Sequence, residues 1–125
     1  MINLEDPIQF IEEKTVGDVL ISYTNLMEIS QGGPVVGNLA INGRRIKGRF
    51  GGPSLVDGNF LYLPSQVKRF LGTCFKLAQI DISTLEIQKL GRNEHIIFLD
   101  KKDGNKIYYF NDMQKSNHQF LQVLE

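Results

Sequence analysis

The chain has 125 residues, of which 42% are hydrophobic and 22% are charged, so it can form one domain with an apolar core but is short for two. Its 14 basic and 14 acidic residues give a formal net charge of zero, which argues against a dedicated nucleic-acid-binding protein, because such proteins carry a basic excess. The single cysteine, Cys74, excludes an intrachain disulfide and a cysteine-based zinc site. We therefore expect one domain over residues 1–125.

The N-terminal segment and the short apolar runs predict a cytoplasmic protein that does not enter a membrane. Residues 1–17 carry four acidic side chains, Glu5, Asp6, Glu12 and Glu13. A signal peptide has instead a basic start followed by an apolar run. The apolar run at 96–99 is typical of the longest in the chain and is far below the roughly 20 residues that cross a bilayer.

Residues 7–14 carry the signals of a short helix. Pro7 suits the first helical position, Asp6 can cap the helix, and Gly17 follows its end. From residue 18 onward the pattern changes to strands and turns. The sequence predicts strands over 19–29, 35–41, 44–50, 59–63, 74–82, 84–90, 94–100 and 106–110.

Turn signals join these strands into neighbouring pairs. Asn42-Gly43 is the strongest two-residue hairpin signal, and residues 102–105 form a second turn. Pro64 is expected to end its strand, with 65–71 forming a helical turn or a loop, and 113–125 remains open between loop, helix and strand. The predicted fold is mainly β, an antiparallel meander or sandwich or a half-open barrel, with a short N-terminal helix.

A search for catalytic or cofactor sites returns none. The glycine pairs at 32–33 and 51–52 each precede a proline, which lacks the N–H that a phosphate-binding loop uses. His95 and His118 lie 23 positions apart without a metal-ligand spacing. Cys74 at a strand start suits a buried structural cysteine. We expect no enzyme activity, no metal and no cofactor, although distant residues can still meet in a fold.

Charge is unevenly distributed along the chain. Residues 1–43 hold six acids and one base, whereas residues 44–76 hold seven bases and one acid. In the strand after Asn42-Gly43, residues 45, 47 and 49 share one predicted face and residues 46, 48 and 50 share the other. Two interpretations stay open for this row of cations: a solvated face that protects an edge strand, or a contact surface for carboxylates or phosphates.

The second interpretation defines a set of candidate partner-binding residues. It consists of the cations of the strand that follows Asn42-Gly43, two further cations after Pro64, and one tyrosine that can anchor a partner if it is exposed. These residues are Arg44, Arg45, Lys47, Arg49, Lys68, Arg69 and Tyr62. Tyr108 and Tyr109 are further tyrosines of this kind, and tyrosines on strands are at least as often core residues.

The chain also resembles a known class of proteins. The segments that carry the resemblance are Gly-Gly-Pro-Ser-Leu-Val-Asp-Gly-Asn-Phe-Leu-Tyr-Leu-Pro at 51–64, Cys-Phe-Lys-Leu-Ala-Gln-Ile-Asp at 74–81, and Ile-Tyr-Tyr-Phe at 107–110. Over residues 35–112 the chain is similar to small bacterial immunity proteins, including those that neutralise contact-dependent growth inhibition toxins. The resemblance implies a cytoplasmic protein without catalytic activity that occludes the active site of one cognate toxin domain, often a nuclease.

One departure from that class concerns charge. Immunity proteins that occlude a nuclease often present an acidic face, whereas this chain is neutral and has a basic middle. If the toxin is a nuclease, it contacts either the acidic N-terminal third or, through an acidic surface of its own, the cationic hairpin. The remaining alternative is a toxin that is not a nuclease. The alternative function is a small β-domain that binds nucleic acid through the basic hairpin at 44–49. The sequence leaves the oligomeric state open.

Overall fold

The computed structural model describes residues 5–70 and 72–123, and within them the chain forms eleven β-strands and no helix. Residues 1–4, 71 and 124–125 lie outside this part. The predictions for segments 1–17, 65–71 and 113–125 therefore lie partly outside the described residues. The strands are β1 (Glu13–Val16), β2 (Val19–Glu28), β3 (Val35–Ile41), β4 (Arg44–Phe50), β5 (Leu55–Asp57), β6 (Phe60–Lys68), β7 (Thr73–Asp81), β8 (Ile87–Glu94), β9 (Phe98–Asp103), β10 (Lys106–Phe110) and β11 (His118–Gln122).

The strands form two antiparallel sheets. The larger has the order β1-β2-β3-β4-β6-β7-β8, with β5 paired to β6, and the smaller has the order β11-β10-β9. The larger sheet curls into a half-open barrel, and within it β4 pairs with β6 at a single residue pair, Phe50 with Ser65. The predicted class, mainly β and antiparallel with a half-open barrel among its forms, is confirmed.

Strands β6 and β7 are buried on both faces. Leu61 and Leu63 of β6 lie inside the curl of the larger sheet. Tyr62 points the opposite way, because successive side chains of a strand alternate, and it packs with Phe75 and Leu77 against the smaller sheet. The two faces of β7 likewise contribute to two separate core clusters, since Ala78 and Ile80 belong to one and Phe75 and Leu77 to the other.

The predicted helix at 7–14 is wrong in the described structure. Asp6 does accept hydrogen bonds from the N–H groups of Ile8 (2.8 Å) and Gln9 (2.7 Å), as a helix cap would. The following carbonyls go elsewhere: that of Pro7 accepts from Val35 N–H (2.9 Å). Residues 13–16 form β1, which pairs with β2 across a turn at 17–18. Long-range backbone pairing overrides the local helix signal.

The expected end of the strand at Pro64 is also wrong. Strand β6 continues through Pro64 to Lys68 and pairs with β7 along its whole length. The carbonyl of Pro64 accepts from Gly51 N–H (2.9 Å) on the side away from β7, so the missing proline N–H also faces that side. There the partner of β6 changes from β5 to β4. No ladder hydrogen bond is lost at this junction.

The hairpin predicted around residues 102–105 is confirmed. Strands β9 and β10 pair from Lys106–Asp103 onward, with a turn at 104–105. Of the three forms left open for 113–125, the described part adopts a strand, β11, which pairs with β10. Among the described residues there is no helix with the length and apolarity needed to span a bilayer.

Candidate functional site

The topology brings the two cationic stretches to one end of the larger sheet. Strand β4 begins at Arg44, directly after the turn at 42–43, and β6 ends at Lys68. Because β4 and β6 run antiparallel through the Phe50–Ser65 pair, the start of β4 and the end of β6 lie at the same end. We call this region the cationic end and define it by six residues, Arg44, Arg45, Lys47, Arg49, Lys68 and Arg69.

A β-bulge shapes the part of the cationic end that β4 provides. Leu39 of β3 pairs with Ile46 and Gly37 pairs with Phe50, so three residues of β4, 47–49, lie opposite one residue of β3. Gly48 sits in the bulge with φ of 112°, a conformation that side chains disfavour. The bulge opens a shallow depression of about 460 Å³, lined by Asn38, Arg45, Ile46, Lys47, Gly48 and Arg49.

The bulge modifies the predicted alternation of β4. Arg45 and Lys47 are exposed, while Ile46 and Phe50 are buried in the core, as the alternation predicts. Gly48, however, is exposed and Arg49 is half-buried. Arg44, at the start of the strand, is exposed. Four consecutive positions, 44–47, therefore place three charged side chains in solvent around one core residue.

Arg49 differs from the other cations because it is tied to the fold. Its Nη2 donates a hydrogen bond to the carbonyl of Asn25 (2.9 Å) in the bulge of β2, where Asn25 has φ of 54°. Strand β3 lies between β2 and β4, so the side chain crosses one strand. Its Nε is buried without a hydrogen-bond partner among the described residues. Arg49 therefore links two bulges.

The turn between β6 and β7 supplies the other part of the cationic end. Lys68 and Arg69 are exposed, and the Arg69 N–H donates to the Gly72 carbonyl (3.0 Å) to close the turn. Phe70, at the tip, is 100% exposed. Phe70 is not among the residues predicted from the sequence, although an aromatic residue next to two cations and two positions before a glycine is a recognisable signal of a contact residue.

No ion pair within the described residues neutralises Arg44, Arg45, Lys47, Lys68 or Arg69, since the ion pairs involve other cations. Several of the acidic side chains lie on β1 and β2, on the other side of β3, for example Glu13 and Glu28. The charge asymmetry of the sequence thus becomes a difference between strands of one sheet, with these acids on β1 and β2 and the cations on β4 and at the end of β6.

Tyr62 does not belong to this surface. Its side chain is fully buried, with 0% exposure, in the cluster between the two sheets. Its hydroxyl accepts a hydrogen bond from Gln79 Nε2 (3.1 Å). Tyr62 can anchor a partner only if it is exposed, and in this structure it is buried. Tyr109 is also buried, and of the three tyrosines only Tyr108 is partly exposed.

A polar network around the buried Glu94 lies between the two sheets. Glu94 accepts hydrogen bonds from the Tyr109 hydroxyl (2.6 Å) and from Arg92 Nε (3.1 Å). Burial, and then the bond to Glu94, raise the pKa of the Tyr109 hydroxyl far above its usual range. The bond to Glu94 also raises the pKa of Arg92. Both side chains therefore keep their protons at neutral pH and act as donors.

The remaining candidate residues for chemistry lie apart. Cys74 is buried at the start of β7, as predicted for a structural cysteine. His95 is exposed after β8, and His118 pairs with Asp100 (Nε2 to Oδ2, 3.3 Å). In the described ranges, no group of three or more His, Cys, Asp or Glu side chains is arranged to hold a metal ion.

Comparison of this chain with protein-family models, with curated proteins and with solved structures returned no match. The interpretation of the site therefore depends on its own geometry. That geometry combines exposed cations, which have no ion-pair partner in the part of the chain that the structure describes, with a fully exposed phenylalanine at one end of the larger sheet.

Proposed function

We propose that this chain is an immunity protein that binds and occludes one cognate bacterial toxin domain in the cytoplasm. The cationic end provides the contact surface. Binding is stoichiometric and involves no chemical step by this chain. The proposal combines the resemblance of residues 35–112 to immunity proteins with the exposed side chains at the cationic end.

The observation that carries the proposal is Phe70. A fully exposed phenylalanine at a turn costs free energy in water, and burying an apolar side chain of this size contributes about 1.5–3 kcal/mol. Aromatic and arginine side chains are the residue types that dominate protein interfaces. Arg69 stands next to Phe70 in the same turn, and Arg44 and Arg45 begin β4 at the same end. This combination is typical of an interface anchor with a cationic rim.

Electrostatics suggests what the toxin surface presents. Five of the six cations at the cationic end are exposed and have no ion-pair partner among the described residues, so this surface is complementary to one rich in carboxylates. Such complementarity speeds association and disfavours partners of the wrong charge. The toxin face that this chain covers is therefore acidic, as around a cation-binding active site, or carries an acidic rim next to an apolar pocket for Phe70.

Growth rescue tests the proposal. Each toxin domain encoded next to this gene is expressed in a bacterial host with the wild-type chain, and one of these pairs is expected to restore growth. Phe70→Ala and Arg45→Glu should each reduce rescue, because they remove the anchor and reverse a rim charge. Lys89→Glu, at an exposed lysine of β8, is the matched control and should rescue fully. Failure of the wild-type chain with every adjacent toxin candidate would contradict the proposal.

The basic hairpin at 44–49 offers the competing function, nucleic-acid binding. It predicts binding whose affinity falls steeply with salt and is weakened by Arg45→Ala. The structure places one of its four cations, Arg49, in a hydrogen bond with Asn25 of β2, which leaves three free cations for phosphates. Nucleic-acid binding that is lost in Arg45→Ala would support this alternative, and nucleic-acid binding that Arg45→Ala leaves unchanged would remove it.

A further inference from the structure

The outer face of the smaller sheet carries a row of aromatic side chains. Ile107 and Tyr109 of β10 point inward and are buried, so Tyr108 and Phe110 point outward. In the strand register Tyr108 lies opposite Phe120 and Phe110 lies opposite His118 of β11. We call these four residues the aromatic face. It belongs to a different sheet from the cationic end.

The rings of the aromatic face are in mutual contact. The His118 ring stacks on Phe110 (centroids 4.6 Å apart) and on Tyr108 (5.3 Å), each at an interplanar angle of 25°. Tyr108 and Phe120 are 6.1 Å apart at 42°. Phe120, at the open end of this series, is 57% exposed, although burying it would be favourable. The series thus ends in a ring that is open to a ligand.

Ammonium groups lie over the exposed rings. Lys101 Nζ is 5.4 Å from the centroid of Tyr108, and Lys106 Nζ is 5.2 Å from that of Phe120. Neither lysine has a carboxylate partner among the described residues, whereas the nearby Asp100 is paired with His118. Asp100 and Asp103 lie on β9 and Asp112 follows β10, but the charged atoms over the ring faces are the two ammonium groups. The charge directly above the exposed rings is therefore positive.

We propose that the aromatic face binds single-stranded nucleic acid by stacking bases on Phe120 and Tyr108. Proteins that bind single strands without sequence preference combine aromatic rings on which bases stack with cations that meet the backbone. Here both components lie on one small sheet. A base that stacks on a ring displaces the ammonium group, because a base–aromatic stack is stronger than an exposed cation–π contact. The displaced ammonium is then free to pair with a phosphate.

The lysines favour nucleic acid over a protein as the occupant. Both cations over the aromatic face are lysines, a residue type depleted in protein interfaces because its strongly hydrated ammonium group must lose water there. At the cationic end, by contrast, four of the six cations are arginines, a type enriched in protein interfaces. A phosphate backbone instead pairs with the ammonium group and releases counterions. The zero net charge of the chain is compatible with this face, since stacking supplies much of the affinity and few phosphates need to be neutralised.

Fluorescence anisotropy with the full chain tests the proposal. The probes are fluorescein-labelled oligouridylate and oligothymidylate of about eight nucleotides, within the usual site size. We expect saturable binding at low salt. Phe120→Ala should weaken it about fivefold or more, as expected for the loss of one stacked base. The double variant Lys101→Gln/Lys106→Gln should reduce the slope of log affinity against log salt by about 1.4, that is, about 0.7 for each phosphate.

The controls separate this face from the rest of the molecule. Phe70→Ala removes an equally large exposed ring elsewhere and should leave binding unchanged, and circular dichroism checks that each variant is folded. Absence of binding to both oligonucleotides at the lowest salt would overturn the proposal. So would equal losses from Phe120→Ala and Phe70→Ala, or competition by inorganic polyphosphate as effective as that by the oligonucleotides, since polyphosphate has no bases to stack.

Discussion

Lys47 and Arg49 show how two cations two positions apart acquire different roles. Regular alternation would place both on one face of β4. The bulge at Gly48 instead leaves Lys47 in solvent and turns Arg49 back over β3, where it donates to the Asn25 carbonyl. Asn25 itself adopts a positive φ of 54°, a conformation that asparagine tolerates better than most residues. Arg49 therefore stabilises the shape on which Arg45 and Lys47 depend.

Arg49→Ala is expected to lower the free energy of unfolding by about 1 kcal/mol, because it removes the hydrogen bond that this half-buried side chain donates to Asn25. Lys47→Ala, the matched change at an exposed position of the same bulge, should alter it by about 0.5 kcal/mol or less. Urea unfolding followed by circular dichroism measures both. Equal stability of the two variants would show that the bond to Asn25 does not hold the bulge.

Tyr62 marks the limit of sequence reasoning at the level of one residue. The alternation of Leu61, Tyr62 and Leu63 predicts that Tyr62 faces away from the two leucines, and this is observed. A strand with one solvated face would then expose it. The smaller sheet covers that face instead, and the residue pattern of β6 does not predict that a second sheet packs against it. Phe70 is the opposite case, an apolar residue that the fold leaves in water.

At the scale of elements, one polar network ties the two sheets together. Glu94 of β8 accepts from Tyr109 of β10, and Arg92 of β8 donates to Gln119 of β11 (Nη2 to Oε1, 3.2 Å). The Leu121 side chain of β11 also packs closely on the backbone of Gly91 in β8, because a Cβ atom added at Gly91 would come within 2.8 Å of it. A buried carboxylate is costly unless it is bonded, so Tyr109 is important for the junction between the sheets.

Tyr109→Phe is expected to destabilise the protein by about 1.5–3 kcal/mol, because it removes a hydrogen bond to a buried carboxylate. Tyr108→Phe makes the same change at the next residue, on the outer face of β10, and should leave stability within about 0.5 kcal/mol of wild type. Chemical denaturation at neutral pH measures the difference. A smaller loss for Tyr109→Phe than for Tyr108→Phe would contradict the assigned role of the network.

The elements that the sequence predicts correctly are those whose signals are local. The Asn42-Gly43 turn and the turn at 104–105 set the register of two hairpins without help from the rest of the chain. The strands predicted at 84–90 and 94–100 are displaced in the structure to Ile87–Glu94 and Phe98–Asp103. Two further wrong predictions fall where distant partners decide. Residues 13–16 become a strand because β2 pairs with them, and β6 passes through Pro64 because its neighbour changes from β5 to β4 at that point.

At the scale of the whole molecule, the fold turns a charge pattern along the chain into a pattern in space. The excess of cations in residues 44–76 and the excess of acids in residues 1–43 end on different strands of one sheet. The six cations were predicted from the sequence, but their gathering at one end was not, because it depends on the antiparallel pairing of β4 with β6. The aromatic face was likewise not predicted from the sequence, because it is formed by the pairing of β11 with β10.

We propose that the cationic end binds a toxin domain. Isothermal titration calorimetry of the purified chain with each toxin domain encoded beside its gene measures this directly. We expect one-to-one binding to one of them, weakened about tenfold or more, or about 1.4 kcal/mol, by the double variant Arg45→Glu/Lys47→Glu and unchanged by Lys89→Glu. Binding that survives the double reversal undiminished, or no heat of binding with any of these domains, would contradict the claim.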